Sequence, residues 1–171
     1  MPHPYVAFAS NNAWANRTFY EAAAALPDGG FTAPRPGFFA SICKTLNHIY
    51  QVDLYYIDAL TEGGVGRAVF DRDEVEDLAI LGTLQAGSDA RLLRFCTDLR
   101  DADLTRRVRT ERHDGPTTER IGDLLPHLFQ HQVHHRGQAH VQLGDAGIAP
   151  PQLDDFFLEY GRVPSAMDYP R

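Results

Sequence analysis

Five of the eight histidines in this 171-residue chain fall within fourteen positions, His127-Leu-Phe-Gln-His131-Gln-Val-His134-His135-Arg-Gly-Gln-Ala-His140. His127, His131 and His135 recur every four positions, a spacing that stacks them on one face of an α-helix. Two neutral imidazoles at i and i+4 on a buried helix face are a standard way to hold a divalent transition metal. Leu124, Leu128, His131 and His135 also form an i, i+4, i+7, i+11 ladder, so the last two stand where the pattern calls for core residues. A buried imidazole must satisfy both ring nitrogens or lose about 1–3 kcal/mol per unmet group. Coordination meets one nitrogen, and a hydrogen bond to the other fixes the tautomer. The pair alone does not specify a metal, because an H-x-x-x-H spacing also arises from satisfied structural histidines. His48, at the edge of an apolar stripe in Thr45-Leu-Asn-His-Ile, would ordinarily be structural too. In a bundle, however, the edge of one helix faces its neighbour, and a third imidazole from there leaves coordination positions open to water or substrate.

These residues need helices to position them. A first helix is expected from about Pro4 to Leu26, stopped by Pro27-Asp28-Gly29-Gly30. Ser41 reads as the N-cap of a second, reaching about Glu62, with Ile42, Leu46, Ile49, Tyr56 and Leu60 along one stripe. A third runs from about Asp73 to Leu99, interrupted in pattern by Gly82 and Gly87. Asp114-Gly115 signals a small β-hairpin before the last helix. That helix carries the histidines and ends near Gly144–Gly147; either Asp123 caps it, leaving Pro126 in the first turn, or it kinks at Pro126. Residues 149–171 read as an irregular C-terminal strap on a single domain spanning 1–171. The architecture expected is all-α, a four-helix bundle.

Composition narrows the function classes. The net charge of −7 and the lack of a clustered basic patch, beyond the mixed run Arg100–Arg112, disfavour a nucleic-acid partner. Two cysteines, Cys43 and Cys96, stand far apart in apolar surroundings, which suits buried thiols in a reducing cytoplasm. Neither a signal peptide nor a membrane span is expected, since no apolar run approaches 18 residues. The remaining histidines take bland roles: His134 and His140 on other faces of the last helix, His113 in the turn, His3 at a fraying terminus. Arg136-Gly137 reads as close helix packing plus a surface or inter-subunit charge, and Trp14 with the phenylalanines as core.

The segments Asn12-Ala-Trp-Ala-Asn16, Ser41-Ile-Cys-Lys-Thr-Leu-Asn-His48-Ile, His127 through Gln138, Gly147, and Pro150-Pro151-Gln-Leu-Asp resemble the DinB family of DinB/YfiT-like metalloenzymes, named for induction by DNA damage and unrelated to the polymerase sharing the name. The resemblance spans nearly the whole chain. It implies up-down-down-up connectivity and a divalent ion, zinc or nickel, held by His48, His131 and His135, with His127 nearby but not a ligand. It also implies a homodimer.

The chemistry expected follows from the donors. In the zinc protease helix H-E-x-x-H the glutamate is the general base; here Gln132 offers no carboxylate, and a base would have to come from Asp53, Asp58 or a loop acid. Three neutral ligands leave a metal its full positive charge, which favours deprotonating a thiol. The resemblance points the same way, to a transferase that uses a low-molecular-weight thiol as co-substrate against small electrophiles. The alternatives are a non-catalytic, metal-stabilised stress-response protein and, behind it, a metal-dependent hydrolase.

Overall fold

Four long helices account for about half of the chain: α1, Pro4–Ala23; α2, Ile42–Leu60; α3, Leu78–Asp98; and α4, Ile121–Asp145. The computed structural model describes residues 3–170. α1 packs on α3 and α4, and α2 on α3 and α4, so α2 is buried on nearly all sides. An antiparallel pair, β1 (Arg107–Arg112) and β2 (Gly115–Arg120), precedes α4. Short 3-10 turns fall at Gly66–Asp71, Asp101–Thr105 and Pro164–Ala166. Among the described residues, no helix is long and apolar enough to cross a membrane.

The helix limits differ from the sequence expectation for local reasons. α1 stops at Ala23, whose carbonyl would need an N–H from Pro27 to continue the helix; the chain reaches Pro27 through i→i+3 bonds, Ala25 N to Ala22 O at 3.2 Å and Leu26 N to Ala23 O at 3.0 Å. Ser41 does cap α2, its Oγ accepting from Lys44 N at 3.1 Å. α3 starts at Leu78 rather than Asp73. The Asn47 side chain holds Val75 extended, accepting from its N–H at 2.8 Å and donating to its carbonyl at 3.0 Å, and Asp77 then caps the helix by accepting from Ile80 N at 2.9 Å. α4 begins directly off β2, so Asp123 is not its cap. Asp123 instead pairs with Arg120 at 2.8 Å in the first turn, and Pro126 lies inside the helix on its exposed side. The hairpin turns at His113-Asp114, and Gly115, at φ +109°, is already paired with Arg112.

A polar layer crosses the centre of the core. Asn12 and Asn16 come from α1, Asp53 from α2, Gln85 and Asp89 from α3, and Gln132 and Arg136 from α4, all buried. Asp53 Oδ2 accepts from Gln85 at 2.7 Å and from Gln132. Asp89 accepts from Asn12 at 3.1 Å and from Asn16 and Gln85 at 3.0 Å. The Arg136 guanidinium donates to Asn12 at 2.9 Å and Asn16 at 2.8 Å. Burial and the Asp89 charge push the Asp53 carboxyl up to about 8, against the pull of its two amide donors. Burial likewise raises Asp89 to about 6 and lowers Arg136 to about 10. Two carboxyls that burial pushes toward the uncharged form, Asp53 the more strongly, thus share the layer with one buried guanidinium. Arg136 is a core counter-charge and not the surface group its sequence context suggests, and Gly137 has no close neighbour to make it a packing residue.

The tail closes on the other side of α1. Trp14 and Phe156 are both buried, ring centroids 5.6 Å apart, and Trp14 Nε1 donates to Ser165 Oγ at 3.0 Å. Phe157 leans on Phe8, while Tyr160 is exposed. His3 is not a frayed residue: it caps α1, its Nδ1 accepting from Tyr5 N at 3.3 Å and its Nε2 lying 3.4 Å from Asp101.

Candidate metal centre

His48 sits in the second turn of α2, and His131 and His135 one turn apart on α4, where these two helices pack together. One nitrogen from each of the three lies within 4.8 Å of the others. The two Nε2 atoms of His48 and His131 are 3.0 Å apart, and ring centroids are 4.9 Å (His48–His131), 4.5 Å (His48–His135) and 4.4 Å (His131–His135). A tetrahedral ion with bonds of about 2.0–2.1 Å sets its ligand nitrogens about 3.3 Å apart. The His48–His131 pair is near that separation, and all three nitrogens lie within 4.8 Å of one another.

Each ring is prepared as a neutral donor. Burial, then the neighbouring His135, lowers His48 to about 4. Burial lowers His131 to about 3, with His135, His48, His127 and His134 adding to it. His135 is lowered by burial and by His134, partly offset by its bond to Gln138. Gln138 fixes the tautomer: Nδ1 of His135 donates to Gln138 Oε1 at 2.8 Å, while Gln138 Nε2 lies 3.1 Å from His134 Nε2. Nε2 of His135 is thereby left with its lone pair free. His131 Nδ1 is buried without a hydrogen-bond partner, so this ring carries an unmet nitrogen in either tautomer. Three imidazole nitrogens gathered within 4.8 Å, on rings whose protonated form burial disfavours, could hold a borderline divalent ion.

One side of the cluster is covered. The Phe39 ring lies 4.6 Å from that of His48 and 5.5 Å from that of His135, with Phe38 at 6.4 Å from His135. Gln142 holds this loop by donating to the Phe39 carbonyl at 2.7 Å while accepting from Thr45 at 2.8 Å. Gly37, at φ +143°, passes so near that a Cβ there would lie 3.1 Å from Gln142 Nε2.

The other sequence candidates fall elsewhere. His127 makes no hydrogen bond to the three; its ring is 6.5 Å from that of His131 and edge-on to Tyr56 at 5.1 Å. Asp53 belongs to the polar layer, and Asp58 accepts from Gly66 N at 2.8 Å, so neither faces the cluster. Among the described residues, the group able to hold an ion contains three histidines and no carboxylate or thiol. His140 is tied to the Pro151 carbonyl at 2.9 Å, and His113 is exposed beside Asp114. Gln138 and Phe39 were missed by sequence reasoning. Gln138 had a signal, three residues after His135 and four after His134; Phe39, in an irregular loop, had none.

The chain is similar to known proteins along most of its length. The family model described as "DinB family" matches residues 1–170. Protein DinB of Bacillus subtilis is 23% identical over 149 residues, covering 84% of this chain and 86% of the relative. Two solved structures share the fold: a DinB-like protein from Bacillus cereus, with TM-score 0.63, 17% identity and coverage of 81% and 90% of the two chains, and the DinB-like YjoA of Bacillus subtilis, with TM-score 0.63, 18% identity and coverage of 85% and 96%. With the match running along almost its full length, the chain belongs to the DinB family.

Proposed function

We propose that His48, His131 and His135 hold one divalent ion, zinc or nickel, and that the protein transfers a low-molecular-weight thiol onto small electrophiles. The observation that carries this reading is the donor set: three neutral imidazoles with no carboxylate among them. Bound there, an ion keeps its full charge and supplies a Lewis acid that favours the thiolate form of a sulfur ligand. The chain contributes the rest. Gln138 orients His135, burial keeps the rings unprotonated, and Phe39 shields one side of the cluster from water. The four helices are taken as an up-down-down-up bundle forming one domain, with 149–171 as its strap. Two free, buried cysteines suit a cytoplasmic setting. The homodimer implied by the family is part of the same reading, and sedimentation tests it.

His131→Ala/His135→Ala should lose bound metal and transferase activity together, read by elemental analysis of protein purified without a nickel column and by thiol consumption. Metal retained at full stoichiometry in that variant refutes the site. A second reading, an ion that only staples α2 to α4, is favoured by the distribution of the ligands over those two helices. Chelation separates the two: a large fall in melting temperature with no thiol-dependent turnover under any condition supports the staple. A hydrolase is the weakest alternative, because among the described residues no carboxylate joins the three histidines.

A further inference from the structure

Beside His131, on the side away from Phe39, an open cavity of about 270 Å³ runs between α2, the Gly66–Asp71 turn and the hairpin. His127 and His131 form one end, Tyr55, Tyr56 and Phe70 give aromatic walls, and Arg67 and Arg112 line it as well. The walls are held rigidly. Tyr55 Oη donates to the Glu111 carbonyl at 2.5 Å and accepts from Glu111 N at 3.0 Å, and the Phe70 ring packs 5.3 Å from that of Tyr55.

The two guanidinium groups differ. Arg112 is committed: it bonds Glu119, donates to Tyr56 Oη at 3.1 Å and lies 5.7 Å from the Tyr56 ring centroid. Arg67 is anchored only through its backbone, whose N–H donates to Glu111 Oε2 at 3.1 Å. Glu111 faces Arg109 at 3.7 Å, and among the described residues no side chain pairs with the Arg67 guanidinium. Of the charged groups lining the cavity, Arg112 is matched by Glu119, and Glu111 is engaged by Arg109 and the Arg67 backbone, which leaves the Arg67 guanidinium without a side-chain partner among the described residues, at the opposite end from His127 and His131.

We infer that this cavity is a subsite for a carboxylate on the substrate, and that Arg67 is the residue that reads it. This rests on the proposed function for the reacting end of the ligand and adds the class of ligand: a small molecule whose sulfur or electrophilic carbon lies at the histidines and whose carboxylate lies at Arg67. A planar, unpaired guanidinium beside aromatic walls selects a carboxylate over a neutral isostere through a charge-assisted, bidentate contact. The carboxylate belongs either to the thiol or to its acceptor.

The test uses the full chain loaded with cobalt, wild type against Arg67→Ala and Arg67→Lys. Arg67 is exposed on a 3-10 turn held by its backbone, so truncation leaves the fold and the cobalt content unchanged. N-acetylcysteine and its amide are titrated against the cobalt spectrum. Wild type should bind the acid about tenfold tighter than the amide; Arg67→Ala should bring the ratio near one while moving the amide less than twofold, and Arg67→Lys should keep part of the preference. If the carboxylate belongs to the acceptor, the ratio instead shifts in KM for iodoacetate against iodoacetamide with the amide thiol. An acid-to-amide ratio unaffected by Arg67→Ala in both arms overturns the subsite. Failure of the functional reading looks different: no cobalt is taken up, and benzoate binding to the metal-free protein, lost in Arg67→Ala and kept in wild type, still supports the subsite, whereas equal benzoate binding by both overturns it.

Discussion

Asp53→Asn changes one atom in the middle of the polar layer, and its effect should depend on pH in a defined direction. In the fold the Asp53 carboxyl is raised to about 8, chiefly by burial. In the unfolded chain an aspartate titrates near 3.9, so folding at any pH between the two takes up a proton. A carboxyl with a raised folded-state pKa stabilises the fold fully below its unfolded value and loses that contribution as pH rises through the folded value. The loss is about 1.4 kcal/mol per pH unit, or about 4 kcal/mol by pH 7. Asparagine carries no such dependence. It can accept the Gln85 and Gln132 donors as Oδ2 does, but its NH₂ brings two donors to the unpartnered Oδ1 position where the protonated acid has one, and the extra unmet donor costs about 1–3 kcal/mol. The two proteins should therefore be nearly equal at pH 5, and the variant should be more stable by about 1–3 kcal/mol at pH 7. The gap should widen by about 2.7 kcal/mol between those values and level off above pH 8. Urea melts at unit pH steps in excess chelator measure this with metal linkage removed. A gap that stays constant, or wild type gaining on the variant as pH rises, would show that Asp53 is ionised in the fold and that Arg136 serves it as a full counter-ion.

Gln138→Ala removes the acceptor that fixes the His135 tautomer and should weaken metal affinity about 10–100-fold without loss of fold, as read by chelator competition. Because His48 and His131 are lowered to about 4 and 3, protons should not compete for these nitrogens near neutrality. Metal affinity should stay flat from pH 8 to about 5 and fall below about 4, whereas a midpoint near 6.5 would mark the imidazoles as ordinary. For the metal-free protein the sign is the same: the unfolded chain takes up protons on these rings below about 6.5 that the fold refuses, so stability falls as the solution is acidified. In α3, Gly82→Ala places a Cβ 3.0 Å from the Tyr20 ring and should destabilise by about 1–3 kcal/mol, while Gly87→Ala meets nothing within 4 Å and should stabilise by up to about 1 kcal/mol. Denaturant midpoints of the two variants moving in the same direction would refute that reading of the α1–α3 contact.

What was legible in the sequence is what local pattern encodes. The four helices and the hairpin follow from periodicity and from Ser41, Pro27 and Gly115; four-residue spacing on α4 and a boundary residue on α2 offered four histidines, and the resemblance to the DinB family singled out His48, His131 and His135 among them. What was not legible depends on partners distant in sequence. Asp73 to Asp77 has helical composition, but Asn47, 28 residues before Val75, holds that stretch extended. Arg136 has the composition of a surface residue, yet two asparagines more than 100 residues earlier supply its acceptors. Phe39 could not be placed over His48 because its loop is fixed by Gln142 from the far end of the chain.

His131 and Gln132 are adjacent, as are His135 and Arg136, and within each pair one member turns to the imidazole cluster and the other to the polar layer. α4 is thus keyed like a shaft with two splines about 100° apart. Any twist of the helix about its own axis disengages both at once. Length changes in the hairpin upstream leave that keying intact, whereas a single residue gained or lost between Gln132 and His135 would turn His135 and Arg136 about 100° away from His131 and Gln132 and break both splines. The orientation of the cluster is in this way guarded by groups that never touch it.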